Sequence, residues 1–108
     1  MLRILMVRVD GFVETADTWG RMLRDEGHEV ILHGSADAEP EIDRVVAVAG
    51  QEDADVVVVP GAEHDWRHAL KERLHEDDVG IAPPECDGAD LLEWVAKRDE
   101  GGHTEGGA

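Results

Sequence analysis

Tyrosine is absent from this chain of 108 residues, and phenylalanine and cysteine each occur once. The lone cysteine, Cys86, excludes an internal disulfide and points to a reducing compartment. Its neighbours Glu85 and Asp87 disfavour the thiolate that a nucleophile needs. Lysine is nearly missing too, with only Lys71 and Lys97, and all cations together number ten against twenty-six Asp plus Glu. The formal net charge of −16 repels phosphate and excludes nucleic acid as a partner. No apolar run approaches the length of a membrane span, and Arg3 and Arg8 interrupt the apolar N-terminus. A soluble, cytoplasmic protein without a membrane partner is expected. Neither Gly-x-Gly-x-x-Gly nor a Walker-type lysine occurs, so the usual phosphate-cradling loops are missing.

What the chain does contain is an acidic surface and alternating strands and helices. Acid excess with few lysines has the character of a salt-accumulating, archaeal-like halophile, in which concentrated ions screen self-repulsion. Residues 2–9 form a short apolar strand ended by the turn Asp10-Gly11. Residues 15–26 form a helix with Ala16, Trp19, Met22 and Leu23 on one face and Gly27 as its stop. A second strand covers 29–32. Pro40 opens a second helix carrying Ile42, Val45, Val46 and Ala49, which Gly50 closes. Four consecutive valines at 56–59 mark a parallel strand covered on both faces.

A third helix is expected over 64–74, with Trp66, Ala69, Leu70 and Leu74 packing. A short strand follows at 79–82, and a last helix runs from Asp87 or Asp90 to Lys97, carrying Leu91, Leu92, Trp94 and Val95. One domain, residues 1–98, is therefore expected, with a disordered tail over 99–108. Four strand-helix units specify an α/β fold: a flavodoxin-like, Rossmann-type open parallel sheet in three layers, with about four strands in the order 2-1-3-4. A fifth unit has no sequence to make it, so the sheet is expected to end early and leave an edge for a partner.

Three groups of residues carry candidate chemistry. Asp10 lies at the carboxyl end of the first strand, where ligands of open α/β sheets bind, but it also suits a plain turn before Gly11. Gly11, Gly34 and Gly61 fall at strand-to-loop junctions and fit turns of positive φ. His64, His68, Glu72 and His75 share an arc of roughly 80° at 100° per residue, a spacing open to a divalent metal held by His64, His68 and His75. In so charged a helix the same spacing also describes a solvated polar face.

The stretch VRVDGFVETADTWGRMLRDEGHEVILHG, residues 7–34, resembles the cobalamin-binding domain of methylmalonyl-CoA mutase and related corrinoid proteins. The family loop reads Asp-x-His-x-x-Gly; here Asp10 stands at the Asp, Phe12 at the His and Thr15 at the Gly. The helix text xxARALRDAGxEVI is matched in register by Arg21, Leu23, Arg24, Asp25, Gly27, Glu29 and Val30. Glu39-Pro40-Glu41-Ile42 and Gln51-Glu52-Asp53-Ala54-Asp55-Val56 extend the likeness to about half the chain. The resemblance implies a cofactor site built from Asp10, Gly11, Phe12, Thr15, Gly34, Pro60 and Gly61, with cobalamin as the cofactor.

Phe12 has no lone pair for cobalt. Thr15 narrows the entry for the nucleotide tail, Pro60-Gly61-Ala62 replaces a Ser-x-Leu element, and only Gly80 remains of a Gly-Gly pair. The resemblance therefore implies a non-catalytic accessory or small-ligand module in which histidine ligation of cobalamin is lost and Phe12 plugs the cleft. A mutase large subunit is the implied partner. The alternatives are a protein-interaction module using the cleft or self-associating through the sheet edge, and the metal-binding helix face.

Overall fold

The computed structural model describes residues 1–34, 41–84 and 88–101. Eight elements alternate in chain order: β1 (Arg3–Val7), α1 (Val13–Asp25), β2 (Glu29–His33), α2 (Ile42–Gln51), β3 (Val56–Val58), α3 (His64–Glu76), β4 (Gly80–Ile81) and α4 (Gly88–Gly101). All strand pairs are parallel, and the sheet order is β2-β1-β3-β4. This is the expected flavodoxin-like arrangement.

Strand alternation divides the core into two layers. Ile4, Met6, Val56 and Val58 pack with Ala16 and Leu23 of α1 and with Leu91 and Val95 of α4. Leu5, Val7, Val57 and Val59 pack with Val45 and Ala49 of α2 and with Leu70 and Leu74 of α3. Central strands covered on both faces leave no polar position along their buried length, which is why Ile4 to Val7 of β1 and Val56 to Val58 of β3 are unbroken apolar runs. At the amino ends, the Arg3 N–H donates to the Asp55 carboxylate at 2.8 Å, and the Arg3 guanidinium pairs with Glu29 at 2.9 Å.

Helix ends follow one pattern with different residues. After α1, Gly27 has φ +95°, its N–H donates to Arg24 C=O, and the His28 N–H donates to Leu23 C=O. This is the left-handed stop expected there. Gly50 does not play that part. It lies inside α2, and Asp53 takes the left-handed conformation at φ +53° with the equivalent bonds to Gly50 and Ala49. Asp78 ends α3 the same way at φ +59°. Aspartate reaches this conformation more readily than most residues because its short polar side chain bonds locally.

Other boundaries shift as well. α1 begins two residues before Thr15, and α4 runs beyond Lys97 to Gly101, placing Asp99 against the terminal amine of Met1 at 3.0 Å. Ala69 is exposed rather than packed. Pro40, Asp87 and residues 102–108 of the expected tail lie outside the described residues.

Candidate functional site

Among the described residues, the loops after β1 and β3 shape the carboxyl ends of the two central strands. Val9, Asp10, Gly11 and Phe12 make a turn closed by the Phe12 N–H to Val9 C=O bond at 2.8 Å, with Gly11 at φ +86°. A positive φ at the third position of such a turn is what selects glycine. Phe12 then becomes the cap of α1, its C=O accepting from the Ala16 N–H at 3.0 Å. The Asp10 side chain is exposed and makes no hydrogen bond among the described residues. It is thus a turn residue free to face a ligand, not one held by backbone amides.

Phe12 and Gly61 come together across the mouth of the sheet. The ring lies so close to the Gly61 backbone that a Cβ on Gly61 would stand 2.1 Å from the ring. Gly61 also has φ +84°, so this position needs glycine for both its conformation and its space. The ring was expected to plug the cleft. It instead rests on the loop after β3 and stays 42% exposed, so it covers the mouth without filling it.

Pro60 is buried beside Gly61, while Thr15 is half-buried in the first turn of α1. Gly34, at φ +102°, closes β2, the neighbour of β1 on its other side. His33, the last residue of β2, has its imidazole held below the usual range by burial and then by the charge of Arg44.

Behind the mouth, a cavity of about 40 Å³ lies among Trp19, Pro60, Gly61, Arg67, Ala82 and Pro83. That is room for a water or two and no larger ligand. Arg67 was not foreseen here. It is only 8% exposed, and its guanidinium donates to the C=O groups of Val59 and Ala82, tying the carboxyl ends of β3 and β4 together. Its signal in the sequence was positional: Arg67, Leu70 and Leu74 share one helix face, and the two leucines are core.

The histidine face of α3 is present in part. The rings of His64 and His68 stack with centroids 6.4 Å apart, and His68 Nε2 meets Glu72 at 3.0 Å. Among the described residues, His64, His68 and His75 are not gathered into a group of three His, Cys, Asp or Glu that could hold an ion. Residues four apart suit one ion only when their side chains converge, and here His68 turns to Glu72 instead. Among the described residues, no helix is long and apolar enough to cross a membrane.

The architecture defines a class: an α/β protein with a four-stranded parallel sheet and helices on both of its faces. No family model and no curated protein matches the chain. Among solved structures it is similar to a ribose 5-phosphate isomerase, RpiB, from Thermotoga maritima, with a TM-score of 0.60 and 17% identity over 93% of this chain and 86% of that one. At that identity the likeness carries the fold alone.

Proposed function

We propose that this chain is a diverged corrinoid-binding-type domain, a non-catalytic binding or accessory module in which histidine ligation of cobalt has been lost. The observation that carries the reading is Phe12 standing on Gly61 at the mouth of the sheet, in the place that the sequence resemblance gives to the axial histidine. A phenyl ring has no lone pair to offer cobalt, whereas a neutral imidazole has one.

The small cavity behind the ring supports the same reading. It is lined by Trp19 of α1, by Pro60 and Gly61 after β3, by Arg67 of α3 and by Ala82 and Pro83 after β4, beside loops whose sequence departs from the corrinoid pattern. Any corrinoid held here sits outside the mouth, against Asp10, Gly11 and the exposed face of Phe12. The partner under this reading is a mutase large subunit, which supplies the catalytic part.

Titration with hydroxocobalamin tests the proposal. The expected outcome is no protein-nitrogen splitting in the electron paramagnetic resonance of the Co(II) form, and its appearance would overturn the proposal. Phe12→His is the companion variant, expected to gain that splitting only if the scaffold still accepts the macrocycle.

We further propose that the protein works in concentrated salt. Its charge of −16 is carried mostly by exposed carboxylates, and self-repulsion falls as the Debye length shrinks to about 3 Å near 1 M. The melting temperature is expected to rise from dilute buffer to molar potassium chloride. An unchanged or lower value at high salt removes the proposal.

A further inference from the structure

We infer that the outer edge of β4 is a docking site for an extended acidic peptide, which adds to the sheet as a fifth strand. Among the described residues β4 pairs only with β3, through Gly80 opposite Val56 and Ile81 opposite Val57. The N–H groups of Gly80 and Ala82 donate inward, to the C=O groups of Asp55 and Val57. Strand alternation therefore turns the N–H and C=O of Ile81 outward. Among the described residues, no turn or loop bond reaches them. Outward backbone groups on an edge strand are a template for another strand, and proteins that avoid such pairing cover the edge.

Among the described residues the edge is flanked and not covered. α3 and α4 pack on opposite faces of the sheet and leave a groove between them along β4. Two depressions of about 360 and 230 Å³ run along it, one toward Pro83 and one toward Trp94, and Lys71 and Ile81 line both. The groove is cationic in a strongly acidic chain. Lys71 stands on the α3 side. Arg98 stands on the α4 side, its guanidinium 5.7 Å from the Trp94 ring and against Gly80, where a Cβ would lie 2.5 Å from Arg98 Cζ.

Lys97 pairs with Glu93 and Arg3 with Glu29, yet neither Lys71 nor Arg98 has a carboxylate partner among the described residues. Asp78 lies at the amino end of the groove.

Charge selects the occupant. Four residues of an added strand span about 13 Å at 3.3 Å each, enough to run beside residues 79–82. Successive side chains point to opposite faces, so two adjacent acidic residues meet Lys71 and Arg98 at once. A second copy of the chain is disfavoured, because pairing β4 with β4 would bring the cations of both grooves together.

The probe is a fluorescein-labelled octapeptide of valine and glutamate containing an adjacent acidic pair, with a lysine-for-glutamate control. A third peptide carries N-methyl groups on alternate backbone nitrogens. Fluorescence anisotropy at the lowest salt at which the chain stays folded is expected to show saturable binding of the acidic peptide alone. Lys71→Glu and Arg98→Glu are each expected to weaken it about fivefold, and N-methylation is expected to weaken it at least about fivefold through loss of the ladder bonds. The Ile81 amide is expected to shift and to gain protection from exchange.

Lys71 is exposed, so Lys71→Glu keeps the test valid even if Arg98→Glu disturbs packing on Gly80. Absence of binding, binding indifferent to N-methylation, or shifts confined to residues away from β4 would overturn the inference. Self-association of the peptide-free chain with the Ile81 amide protected would overturn it too. The inference is independent of the corrinoid reading, since cobalamin titration does not engage this edge.

Discussion

β1 and β4 are parallel strands of one sheet, built to different standards. β1 is paired on both sides, over five positions with β2 and three with β3, and Ile4 to Val7 are fully buried. β4 is paired on one side over two positions, and neither Gly80 nor Ile81 is buried. The difference follows from position. An interior strand between helix layers exposes no face along its buried length, so Ile4 to Val7 are all apolar. An edge strand has only one neighbour to satisfy and can be short. In this chain the economy at the edge leaves backbone groups and two cations facing outward, whereas the centre offers nothing to a partner.

The comparison predicts unequal sensitivity to truncation. Leu5→Ala removes a fully buried side chain from the centre and is expected to cost about 3 kcal/mol. Ile81→Ala, at a half-exposed edge position, is expected to cost about 1 kcal/mol. Urea denaturation of both variants checks the ratio. Equal losses would mean that β4 is as integral to the fold as β1.

The same contrast explains what could be read from the sequence. Strand order, the two-sided core and the stop at Gly27 were legible, because long apolar runs and a glycine after a periodic helix each have one common physical cause. The edge was less legible: two ladder residues between Asp78 and Ala82 leave almost no periodic signal. Asp53 displaced the expectation that Gly50 ends α2, and Asp78 ends α3 in the same way, since aspartate also tolerates the left-handed conformation. Arg67 was hidden by its charge, although its spacing from Leu70 and Leu74 placed it on the core face. At the mouth, sequence placed Phe12 over the strand ends. It could not tell that the ring would meet Gly61, because that contact joins loops forty-nine positions apart.

That contact yields the next prediction, which sharpens the contrast between a rigid mouth and an open edge. Gly61→Ala is expected to destabilise by about 1–2 kcal/mol, combining positive-φ strain with collision against the ring. In a Phe12→Ala background the collision disappears and only the backbone strain remains. The two substitutions should therefore couple by at least about 0.5 kcal/mol in a double-mutant cycle. Additive effects would show that the ring moves aside freely, and the mouth would then be as adaptable as the edge.

The smallest effect concerns the other outer strand. His33 ends β2, and burial followed by the charge of Arg44 holds its imidazole below the usual 6.5. The unfolded chain then binds a proton at a higher pH than the folded one does, so stability rises with pH across the interval between the two values. The contribution of neutral His33 is complete above the unfolded value and is lost progressively as pH falls below it. His33→Gln, which cannot be protonated, should show a shallower loss of melting temperature between about pH 7 and pH 5 than the parent chain. Identical slopes would mean that the imidazole at this edge is as well hydrated folded as unfolded. β2 would then join β4 as an edge that constrains little.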